Sequence, residues 1–134
     1  MTDFKTFCEE LTKDIQTAYE GSVTLDDAEK LAAKFLMGQI EAGKELQAAD
    51  LDTRMRKSGL KAVKAAVYVE AATKGEKKPT EAMLAATVDM DKLVIGEQEA
   101  FDGAEVWKNQ LENYLDVFRN AHIYFRGMAK GRFE

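Results

Sequence analysis

Arg54, Arg56, Lys57, Lys61 and Lys64 place five cations within eleven residues, and cations in such a row attract phosphate. At 100° per residue, Lys57, Lys61 and Lys64 share one helix face, and Arg54 lies about 60° to one side. Tyr68 follows Lys64 by four residues, so an aromatic ring stands at the end of the row. Phosphate contacts beside a stacking ring are the physics of sequence-independent binding to single strands. A solvated basic helix face that binds nothing has the same spacing.

The remaining reactive residue types point away from catalysis. His122 is the only histidine and Cys8 the only cysteine, so no imidazole pair holds a metal or relays a proton. Cys8 lacks the partner a nucleophilic thiol requires and reads as a small buried group. His122 follows an apolar position beside Tyr124 and Phe125, which reads as a packed or interfacial ring. Asp89, Asp91, Glu97 and Glu99 read as two capping acids followed by an exposed acidic face rather than a metal cluster. Phosphate-loop, nucleophile-elbow and EF-hand patterns do not occur. The expectation is a non-enzymatic protein with no cofactor and no metal.

The chain has 134 residues with 19 basic and 24 acidic side chains, a formal charge of −5. The signs alternate in blocks. Residues 1–52 carry −7, 53–80 carry +6, 81–118 carry −7 and 119–134 carry +3. An acidic total excludes a protein that coats nucleic acid over its whole surface. A local basic face remains effective, because at 0.1 M salt a ligand senses charge within about 10 Å. The alternative is that acidic and basic blocks pair inside the fold. No apolar run approaches the roughly 20 residues of a membrane helix. The N-terminus has no apolar core of a secretory signal, so a cytoplasmic location is expected.

The elements that must position these residues are helices. A single proline, Pro79, and abundant Ala, Leu, Glu, Lys and Gln are helix composition. Phe4, Phe7, Leu11, Ile15 and Ala18 predict a first helix ended by Gly21-Ser22. Thr24 caps a second, with Asp26 and Asp27 in its first turn. Gly38 and Gly43 predict that it frays or bends before Leu46. The basic helix is predicted over about 50–74, stopping at Gly75. Residues 74–80 form the clearest loop, a short helix opens at Thr80-Glu81, and a long one runs from about Asp91 to Lys130.

That last helix carries the strongest periodicity. Ala104, Trp107, Leu111, Tyr114, Phe118, Ala121, Phe125 and Met128 alternate spacings of three and four, an unbroken heptad seam. Leu115, Val117, Ile123 and Tyr124 widen the apolar surface beyond one stripe. The seam is expected to join subunits of a homo-oligomer. The alternative is a monomeric bundle with this helix at its centre.

Several segments together resemble the phage recombination mediators of the UvsY type, small helical proteins that load a recombinase onto single-stranded DNA. Phe7-Cys-Glu-Glu-Leu-Thr-Lys-Asp14 is similar to the opening helix of that family. Leu60-Lys-Ala-Val-Lys-Ala-Ala-Val-Tyr68 falls where the family carries its basic DNA-contacting motif. Asp89-Met-Asp-Lys-Leu-Val94 and the seam from Trp107 to Arg126 resemble its C-terminal assembly region. Lys64 matches the lysine of the basic motif, whereas Ala66 stands where the family has a second cation. The resemblance implies a ring-like homo-oligomer whose partners are single-stranded DNA, a RecA-like recombinase and a single-strand binding protein.

The sequence thus predicts an all-α fold of helical hairpins with a coiled-coil-like assembly helix. It forms one domain over 1–134, with N-terminal helices over 1–78 and a C-terminal assembly region over 79–134. The functional expectation is a mediator-like DNA-recombination accessory that contacts single strands through Arg54, Lys57, Lys61, Lys64 and Tyr68. The alternative is a helical scaffold or adaptor that binds only protein partners.

Overall fold

The computed structural model describes residues 2–21, 23–75 and 77–131, and it is all-α. Four helices follow in order: α1 (Thr2–Glu20), α2 (Leu25–Thr73), α3 (Glu81–Met90) and α4 (Lys92–Ala129). No strand occurs among the described residues. The helices group into two compact units, one of Met1–Leu46 with Gln110–Glu134 and the other of Gln47–Asn109. The boundary falls within α2 and α4 and not at the 74–80 loop.

The starts of the helices are written in the sequence. Thr24 Oγ1 accepts from the Asp27 amide at 3.1 Å, and Thr80 Oγ1 accepts from the Met83 amide at 3.2 Å. Asp91 ends α3 and opens α4, its Oδ1 accepting from Leu93 at 2.8 Å and Val94 at 3.2 Å. Each side chain takes a backbone donor that has no partner within its helix. Gly75, at φ +106°, adopts the left-handed conformation just past α2 that the glycine stop predicts.

The expected break near Leu46 does not occur. The second and third predicted helices are one, and α2 continues through both glycines to Thr73. In the first unit Gly38 admits close packing. A Cβ there would lie 2.7 Å from Leu11 Cδ1 and 3.2 Å from Phe118 Cδ2. A buried stripe runs along α2, most of it small side chains: Ala28, Ala32, Ala42, Ala49 and Thr53 recur with Phe35 and Leu60 at multiples of the heptad steps. Alanine is both the best helix former and small enough for helices to approach closely. Tertiary cover therefore outweighs the roughly 1 kcal/mol that a mid-helix glycine costs.

The first unit packs α1 and the start of α2 against the end of α4. Its core is Cys8, Leu11, Ala32, Phe35, Ala42, Phe118, Ala121 and Phe125. The Phe35 ring lies 5.7 Å from Phe125, stacked, and 6.1 Å from Phe118, tilted. In the second unit α2, α3 and α4 share a smaller core of Leu60, Val88 and Val94, with Val63, Val67 and Phe101 packed against it.

The seam of α4 is spent largely on these interiors. Leu111, Phe118, Ala121 and Phe125 are buried in the first unit, and Tyr114 and Met128 are packed against its core. Ala104 and Trp107 are half-buried in the second unit. Burial within the units thus covers most of the heptad pattern of α4, as the alternative of a helix buried within its own chain requires. No helix among the described residues is long and apolar enough to cross a membrane.

Candidate nucleic-acid interface

The second unit holds all five residues expected at the DNA site, on the C-terminal part of α2. Leu60, Val63 and Val67 anchor that stretch by turning inward, which sets the cations on its other faces. Lys57 and Lys61 are exposed, and Lys64 is half-buried.

Ion pairing divides the cations into two groups. Arg54 pairs with Asp50 at 3.0 Å and Arg56 with Asp52 at 3.0 Å, each one helical turn back. Lys108 of α4 reaches Asp50 as well, at 3.1 Å. The hydrogen bond from Lys108, reinforced by the Arg54 charge, holds the Asp50 carboxyl below the usual carboxylate range. Lys57, Lys61 and Lys64 make no ion pair with any described residue. Their charge is free to act on a ligand. Lys74, Lys77 and Lys78 in the following loop are also exposed and unpaired among the described residues. They extend the basic surface beyond the residues the sequence pattern singles out.

Tyr68 sits differently from a freely presented stacking ring. Its hydroxyl donates to the Glu81 carboxylate of α3, at 3.2 and 3.4 Å to the two oxygens. That bond and the adjacent negative charge raise the Tyr68 phenol above its ordinary pKa. Lys64, Tyr68, Glu81, Val88 and Asp89 line an open depression of about 340 Å³. Glu81 and Asp89 thus place negative charge at one end of the lysine row. Helical periodicity within α2 gives no sign of this, because both acids arrive across the loop on α3. The short connection is the one sequence signal that folds α3 back beside Tyr68.

The second unit holds 10 basic and 11 acidic residues, so its positive charge is a local feature of the lysine row and not of its net balance. Asp50 and Asp52 draw off the two arginines, which leaves the lysines as the effective positive surface.

The other candidates for chemistry have structural roles. His122 Nδ1 donates to the Ala32 carbonyl at 2.8 Å, which ties α4 to α2 within the first unit. Cys8 is fully buried, and burial, followed by the charges of Glu45 and Glu9, pushes its thiol up to about 11. That environment suppresses the thiolate. Lys34 pairs with Asp14 between α2 and α1.

No family model matches the chain, and no curated protein and no solved structure matches it either.

Proposed function

We propose that the protein is a non-enzymatic, mediator-like DNA-recombination accessory that binds single-stranded DNA through the lysines of α2. The observation that carries this reading is the row Lys57, Lys61 and Lys64, which holds no ion pair with any described residue while both neighbouring arginines pair with acids on their own helix. Unpaired lysines along one helix face bind a phosphate chain by counterion release, independent of base sequence. Tyr68 adds an aromatic ring at the end of the row, its hydroxyl tethered to Glu81. The resemblance to phage recombination mediators adds the partners: a RecA-like recombinase to be loaded and a single-strand binding protein to be displaced.

The test is recombinase loading. On single-stranded DNA coated with its binding protein, a RecA-like ATPase shows a lag before hydrolysis. The protein should shorten that lag, and the Lys61→Ala/Lys64→Ala variant should not. An unchanged lag with the wild-type chain refutes the mediator role.

The second reading is a helical scaffold that binds only protein partners. It is favoured by one feature of the second unit, the exposed apolar side chains Leu51 and Met55 of α2. Absence of DNA affinity at low salt, from folded protein, would select it.

A further inference from the structure

A cleft of about 500 Å³ opens in the first unit between the end of α1 and the last turns of α4. The apolar stripes of the two helices leave this space themselves. Along α1, Phe4, Phe7, Leu11 and Ile15 give way to Ala18, and on α4 Ala121 is the small residue between Phe118 and Phe125. Both alanines line the cleft. Each stands where a larger side chain of its stripe would reach across. The packing that fully buries Cys8 and Leu11 therefore stays open at this end of α1.

The lining defines what fits. Its walls are aliphatic side chains such as Ile15 and Val117, with three rings, Tyr19, Tyr124 and Phe125, drawn from both helices. Phe125 is buried, whereas Tyr124 and Tyr19 are exposed, so one ring lies deep and two stand at the mouth. Tyr124 meets Phe125 edge-on, with centroids 5.2 Å apart. Asn120 brings a carboxamide, both donor and acceptor, to the same lining.

No described residue lining the cleft is charged, in a chain of which 32% is charged. A second depression that shares Ala18 is lined by Asp14, Asp27, Lys30 and Lys34. The lack of charge thus belongs to this cleft and not to the whole end of α1. A charged ligand would give up hydration here with no opposite charge to meet it, whereas a flat ring gains from aromatic faces and edges. The volume, the apolar walls and the few polar groups are those of small-molecule sites.

We propose that the cleft binds an uncharged, ring-bearing small molecule, its rings packed against Phe125, Tyr19 and Tyr124 and its polar edge on the Asn120 carboxamide. The site belongs to the first unit and the lysine row to the second, so it does not depend on the DNA reading. Its test contains no DNA.

The probe is N-phenylnaphthylamine, a neutral aryl amine whose fluorescence rises in apolar surroundings. Titrated against the full chain, it should saturate at one dye per chain. Ala18→Leu fills the space and should abolish that saturable signal with helix content unchanged. Tyr19→Ala, at a position 84% exposed, leaves the fold intact and should weaken binding about three- to tenfold through the lost ring contact. Anilinonaphthalene sulfonate, a similar ring system bearing a negative charge, should bind at least about tenfold more weakly, read as the difference between wild type and Ala18→Leu. A signal that does not saturate, that persists in Ala18→Leu or that keeps full affinity in Tyr19→Ala overturns the proposal. Equal affinity for the two dyes overturns the chemical class. A free chain that sediments at twice 15.0 kDa and turns monomeric with Ala18→Leu gives the cleft to a second copy and overturns the proposal as well.

Discussion

Replacing Lys61 and Lys64 by alanine isolates the charge on which the functional reading rests. Each phosphate neutralised on a single strand contributes about −0.7 to the slope of log affinity against log salt. Three unpaired lysines therefore give a slope of about −2.1, and the double variant retains about −0.7 from Lys57. Between about 50 and 200 mM salt, wild-type affinity falls roughly 18-fold and the variant's only about threefold. Arg54 and Arg56 add little to the wild-type slope, because Asp50 and Asp52 hold them at 3.0 Å. Both replaced lysines lie outside the buried core, so helix content should be unchanged. Fluorescence anisotropy of a labelled single-stranded oligonucleotide reads the slope directly. Equal slopes for wild type and variant would place the phosphate contacts elsewhere and refute the assignment.

Other predictions concern the frame that holds this surface. Gly38→Val should destabilise the first unit by about 1–3 kcal/mol through overpacking, whereas Gly43→Ala, where an added Cβ meets nothing within 4 Å, should stabilise by up to about 1 kcal/mol. Urea unfolding measures both, and shifts of the same sign would contradict the roles given to the two glycines. Phe118→Ala removes a fully buried ring stacked on Tyr114 and tilted against Phe35. It should cost about 3–5 kcal/mol, and a midpoint unchanged in the same titration would remove the ring from the core. The Cys8 thiol binds its proton more tightly folded than unfolded, so its contribution is complete below about 9 and is lost as pH rises toward about 11. Thermal melts should show stability falling across that window in the wild type and a smaller fall in Cys8→Ala.

The periodic and capping signals were legible because they are local. Thr24, Thr80 and Asp91 each cap the helix their position announces, and the α4 stripe from Leu111 to Phe125 is buried as its spacing requires. What covers that stripe was not legible. Heptad spacing says only that a face is buried, and the same spacing serves a partner within the chain or a second chain. The continuity of α2 was missed because Ala42, Ala49 and Thr53 carry weak apolar signal, although they keep the helix covered past Gly43. At the candidate site the cations could be placed on one face from the sequence. Which of them remain unpaired could be read only in part. The intrahelical pairs Arg54–Asp50 and Arg56–Asp52 lie at the familiar four-residue spacing, whereas Lys108 and Glu81 reach Asp50 and Tyr68 from other helices.

The central claim is that the lysine row of α2 binds single-stranded DNA electrostatically. Its most direct measurement is the anisotropy titration of a labelled single strand with the wild-type chain at low and at moderate salt. Binding at low salt that collapses as salt rises is the predicted result. No binding at either salt, from protein whose helix content is intact, would contradict the claim.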